Sequence, residues 1–394
     1  LRATVLVLFA AGLGCLAAGG WFHHRLTRSL PRLEGSARLA GLGARVVVER
    51  DERGAVTLRA ENRADAARAL GYVHAQDRFF QMDRARRMAA GELAGLMGRE
   101  ALAQDRQARI HQFRTRARQA LAGLSSEQRA LLEAYAAGVN AGLAGLGDKP
   151  FEYLVLRCEP AAWTPEDSLL VLYAQALDLE SGNIAYERSL STLSDSFGKT
   201  AVAYFAPETG PEDAALDGSV APLAPMPTDH LIDIRKRVYE YEDGRKHASA
   251  ERAEVPALLP GSNAFVLSGE HTAAGRPLLA NDLHRDLEVP GAWYEASLHF
   301  QLSGRDVAVT GLTLPGLPLI LAGSNGHVVW GLTNACADTA DLIIVNPASG
   351  PGTYMEGDEP RMYEKRTETF SVRGGRPETA EYFSTVWGPV VGTN

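Results

Sequence analysis

The apolar residues of this chain change period once, across a proline-rich stretch. Before it they recur at helical spacing; after Pro260 they come in short runs at strand spacing. Any fold has to accommodate both halves and the segment between them. Leu131, Leu132, Tyr135, Ala136 and Val139 make one helical face, with Ser125 and Gln128 ahead of it as a capping box. Asn62 can cap an earlier helix through Leu70, Val73, Phe79 and Met82, and a third helix is expected over 167–179. Residues 45–50 and 55–60 read as strands joined by a loop at 51–54. These elements make 38–205 mainly helical with a small β start. Pro207, Pro211, Pro222, Pro225, Pro227 and Pro256 then stand among many charges, as in a linker. Beyond Ser262, residues 264–267, 278–280, 293–300, 307–310, 319–322 and 328–332 read as strands.

The 394 residues suffice for one large domain or two to three ordinary ones, and the net charge is 40 − 48 = −8 with no long basic run. Nucleic acid is therefore not an expected partner. No phosphate-binding glycine loop follows a strand, so a nucleotide-binding enzyme is not expected either. Residues 3–22 are apolar and uncharged, between Arg2 and the group His23, His24, Arg25 and Arg28. That length can span a bilayer or serve as a secretory signal. The basic flank does not resemble a small-residue cleavage site, so an uncleaved anchor in residues 1–30 is favoured, with the remainder exported to the periplasm or held facing it. Gly12-Leu13-Gly14 ahead of Cys15 makes a poor lipoprotein signal. Cys158 and Cys336 could pair in an oxidising compartment. No Cys-x-x-Cys or His-rich cluster suggests zinc, and no organic cofactor is expected.

The junction Pro260-Gly261-Ser262-Asn263 carries the chemistry. A serine after Pro-Gly is commonly a turn residue. If the chain is cut between Gly261 and Ser262, however, Ser262 carries a hydroxyl nucleophile and a free α-amine in one residue. That amine, with a reference pKa near ~8, can serve as the serine's own base. Gly261 leaves its carbonyl unobstructed for such a cut.

The surrounding motifs resemble those of the penicillin acylase family of N-terminal nucleophile hydrolases. In the first half these are Gly71-Tyr72-Val73-His74-Ala75-Gln76-Asp77-Arg78-Phe79-Phe80-Gln81-Met82, Ala134-Tyr135-Ala136-Ala137-Gly138-Val139-Asn140 and Ala162-Trp163-Thr164-Pro165-Glu166-Asp167. In the second they are Gly261-Ser262-Asn263, Ala280-Asn281-Asp282-Leu283-His284, Trp293-Tyr294-Glu295, Pro315-Gly316-Leu317-Pro318 and Trp330-Gly331-Leu332-Thr333-Asn334. The resemblance implies an α+β, four-layer αββα fold. It also implies self-cleavage into an α chain (31–205) and a β chain (262–394) that stay together as a heterodimer, with 206–261 as spacer. The implied activity is hydrolysis of the amide between an acyl group and an amine, such as a β-lactam nucleus or a homoserine lactone.

By the same resemblance Ser262 is the nucleophile, with Asn263 beside it, and His284 orients it. The backbone N–H of Asn334 donates to the oxyanion. Asp338, Asp341 and the carbonyl of Ala340, with Glu187 from the helical half, are the implied ligands of a structural calcium ion. A solvated acidic loop is the alternative. Ala176, Leu179, Leu332 and Arg285 are candidates for the acyl pocket, where Arg285 would favour a polar acyl tail; it could also face solvent. Phe265 and Leu283 stand where tryptophan and proline are common. Family precursors are roughly twice this length, so the β half is expected to be truncated. An inactive or unprocessed membrane-anchored binding protein of this fold therefore stays open as the second reading.

Overall fold

A computed structural model describes residues 2–207, scattered positions between 209 and 228, and 261–284, 287–335 and 339–392. Most of the expected spacer lies outside the described residues. The helices are α1 (Arg2–Arg28), α2 (Arg63–Ala90), α3 (Ala94–Met97), α4 (Leu102–Ile110), α5 (Phe113–Gly123), α6 (Ser126–Ala144), α7 (Phe151–Leu156), α8 (Pro165–Phe197) and α9 (Lys199–Phe205). The strands before the spacer are β1 (Val47–Arg50) and β2 (Val56–Asn62). After it come β3 (Gly261–Leu267), β4 (Leu278–His284), β5 (Tyr294–Leu302), β6 (Arg305–Thr313), β7 (Ile320–Ser324) and β8 (Val329–Trp330). They are followed by β9 (Thr353–Glu356), β10 (Glu359–Met362), β11 (Glu364–Phe370) and β12 (Glu378–Ser384). The mixed class, helices first and strands second, is as expected.

Two compact units form. One holds Leu1–Leu177, Gly261–Asn334 and Pro347–Asn394; the other holds Asp178–Pro260 and Ala335–Asn346. In the first, six strands lie in the order β1-β2-β5-β6-β7-β8. All neighbours are antiparallel except β2 and β5, which run parallel with Val56 opposite Ala296. Residues on either side of the spacer thus share one sheet. Alternation puts Val56 and Leu58, and Tyr294, Ala296, Leu298 and Phe300, on a buried face against α2.

The Asn62 side chain accepts from the Asp65 N–H and caps α2, and Ser125 and Gln128 form the reciprocal box at α6. These two helices touch through glycines. A Cβ on Gly138 would lie 1.9 Å from the Arg68 carbonyl oxygen, and one on Gly71 would lie 2.3 Å from that of Tyr135. Two other motif segments close on each other: the Asn140 amide exchanges hydrogen bonds with both backbone groups of Trp163, each 2.8 Å. Pro165 then opens α8, where its missing N–H costs nothing. Helix α8 runs 18 residues past the expected end at Leu179, because no proline interrupts it and Ile184, Leu190 and Leu193 continue an apolar spacing. The hairpin β11–β12 seats Phe370 in a small cluster with Ala94 and Leu102.

Helix α1 is long and apolar enough to cross a membrane. Cys158 is free and half-buried, and its suggested partner Cys336 lies outside the described residues.

Candidate active site

Ser262 is the second residue of β3, and the strand runs unbroken through Gly261–Ser262. Its register with β4 pairs Gly261 with His284, Ser262 with Leu283, and Asn263 with Asp282. Strand alternation puts Ser262, Asn281 and Leu283 on one face and Gly261, Asn263, Asp282 and His284 on the other. The Ser262 hydroxyl is reached from outside the hairpin: the Asn334 backbone N–H donates to its Oγ at 2.6 Å. Two residues 72 apart in sequence thus meet at the expected nucleophile. His284 is not brought to that hydroxyl. Its Nε2 lies 3.0 Å from Asp282 Oδ2, and the imidazole is exposed, standing across from Gly261.

Asn281 has no role assigned from sequence, yet it holds this arrangement. Its Nδ2 donates to the carbonyls of Asn263 and Leu332, and its Oδ1 accepts from the Leu332 N–H, all at 3.0 Å. Gly331 makes room for it, since a Cβ there would lie 2.6 Å from Asn281 Oδ1. The available signal was an asparagine, a residue strands disfavour, directly after the apolar run 278–280.

A buried polar chain stands in the core. His74 on α2 lies 2.8 Å from the Tyr135 hydroxyl through Nδ1 and 2.9 Å from Thr313 Oγ1 through Nε2. The Tyr135 hydroxyl accepts from the Gly316 N–H at 2.9 Å. Its own proton therefore points to Nδ1, leaving His74 to donate from Nε2 to Thr313. Burial, helped by the Arg78 charge, drives the His74 pKa down to about 3, and burial pushes the Tyr135 phenol up. Tyr294 donates to Asp77 at 2.6 Å beside the two-pronged Arg50–Asp77 ion pair.

Leu332 is 49% exposed, Ala176 is exposed on α8, Leu179 is partly buried there, and Arg285 lies outside the described residues. Of the expected calcium ligands, Asp338 also lies outside them, Asp341 is exposed and Ala340 half-buried. Glu187 lines an open cavity with Leu190, Lys199 and Leu342. Among the described residues no three His, Cys, Asp or Glu side chains gather closely enough to hold a metal. Calcium takes about six to eight oxygens, and Asp338, one of the four expected ligands, lies outside the described residues.

Residues 45–394 match the family model described as penicillin amidase. The penicillin acylase 2 proenzyme of Pseudomonas sp. (strain SE83) is 33% identical over 93% of this chain and 46% of its own length. The acyl-homoserine lactone acylase QuiP of Pseudomonas putida is 32% identical over 96% of this chain and 45% of its own. A solved thermostable penicillin G acylase from Alcaligenes faecalis is 27% identical, with a TM-score of 0.36 over 47% of this chain and 98% of that one. The chain spans about half the length of the curated relatives it matches. With 350 of its residues inside the family model (394 − 45 + 1), the chain belongs to the penicillin amidase family.

Proposed function

We propose that this chain carries the nucleophile of a self-processing amidohydrolase that splits an acyl group from an amine. The observation that carries the reading is the Asn334 N–H aimed at Ser262 Oγ. A backbone donor at that oxygen favours negative charge there and, after attack, on the adjoining tetrahedral oxygen.

In the first step Ser262 Oγ attacks the Gly261 carbonyl carbon. The peptide C–N bond breaks as the ester C–O bond forms, and the hydroxyl proton passes to the departing Ser262 nitrogen. Water then hydrolyses the ester, leaving a carboxylate on Gly261 and a free α-amine on Ser262. His284 is paired in register with Gly261 and tied to Asp282, which supports a role for it at the bond that is cut. In turnover the α-amine takes the hydroxyl proton as Oγ attacks the substrate amide, and gives it to the leaving amine. Water deacylates the ester and restores the hydroxyl. The relatives' names point to β-lactam or homoserine-lactone amines as the leaving group. Helix α1 would export or anchor the enzyme, giving a periplasmic site.

The test uses the full-length protein and a Ser262→Ala variant on penicillin G and a series of acyl-homoserine lactones, with the released amine quantified. Wild type should hydrolyse at least one class and the variant none. Its kcat/KM should fall about tenfold per pH unit below an apparent pKa near ~8. Equal hydrolysis by both proteins, or none by processed wild type, would overturn the reading.

A further inference from the structure

We propose that Asn281 is the positioning residue that sets the Asn334 donor against Ser262. This rests on the functional reading above and adds to it a residue that touches neither substrate nor nucleophile.

The Asn281 amide makes with Leu332 the two hydrogen bonds that a neighbouring strand would make, its Oδ1 accepting from the Leu332 N–H and its Nδ2 donating to the Leu332 carbonyl. Its second Nδ2 proton goes to the carbonyl of Asn263, the residue after the nucleophile. Both donors are used, and one side chain ties the position after Ser262 to the position two before the donor. Apolar packing does not hold that segment, because Leu332 is 49% exposed and Thr333 is exposed too. Strand β8 ends at Trp330, so ladder bonds do not hold it either. The Asn281 amide grips Leu332 on both backbone groups, admitted at close range by Gly331. Only Thr333 lies between Leu332 and Asn334, which leaves little slack, so releasing the amide moves the N–H off Ser262 Oγ.

Asn281→Asp keeps the shape and loses both donors. Gly331→Ala keeps the amide and pushes the segment away from it. Each should lower kcat about 10²-fold with KM changed less than about threefold and thermal stability nearly kept. Hydrogen exchange at the 331–334 backbone should quicken about tenfold in each. Wild-type kcat in both variants, or unchanged exchange at 331–334, would overturn the assignment. The exchange measurement needs no turnover. If wild type hydrolyses no amide, the functional reading fails, while exchange still decides whether Asn281 fixes the segment.

Discussion

His74 is an ionisable residue held away from water. It is fully buried, neutral, and satisfied on both nitrogens by groups from α6 and β6. Its folded pKa of about 3 lies below its unfolded value of 6.5. The unfolded chain therefore binds a proton between those pH values that the folded chain refuses. The stability His74 contributes is complete above pH 6.5 and is lost as pH falls toward 3, by at most ~1.4 kcal/mol per unit. His74→Phe should be about 1–3 kcal/mol less stable at pH 7, with the Tyr135 proton and the Thr313 hydroxyl losing their His74 partner. Denaturant titrations from pH 8 to 4 should show this gap narrowing as pH falls; parallel curves would contradict the assignment. At this scale the sequence motifs announced Ser262 and Asn334, which the fold joins by one hydrogen bond. They did not announce Asn281 or the His74 chain. Those roles come from partners 18 to 239 residues away, and no local pattern encodes such pairings.

Among the elements, the α2–α6 contact sets the frame. Gly71, Gly138 and Gly142 bring two backbones together where any side chain would strike a carbonyl. Gly138→Ala should cost about 1–3 kcal/mol or more, since both helices must part. Gly123→Ala on α5, with nothing within 4 Å of the added Cβ, should be neutral or stabilising by up to ~1 kcal/mol. Thermal unfolding of the pair measures the contrast, and equal effects would mean that the helices do not pack through glycine. The helix faces and caps were legible because they are local: Asn62, Ser125 and Gln128 act where their spacing says. The parallel pairing of β2 with β5 was not legible, since its partners lie 240 residues apart. The strands β9 to β12 were missed because their polar, charged repeats carry little apolar alternation.

In the whole molecule, the segments before and after the spacer are stitched together by more than the peptide chain. They share the six-stranded sheet, the Arg50–Asp77–Tyr294 group, the His74–Thr313 bond and the Arg109–Glu368 ion pair. Cutting at Gly261–Ser262 removes none of these, so the two products should stay in one particle. The most direct test is intact mass and N-terminal sequencing of the full-length protein taken from a single native chromatographic peak, beside Ser262→Ala. The account predicts two chains in that peak, one beginning Ser-Asn-Ala-Phe, and an uncut chain in the variant. An uncut chain in both, or the same cut in both, would contradict Ser262 as an N-terminal nucleophile made by its own attack.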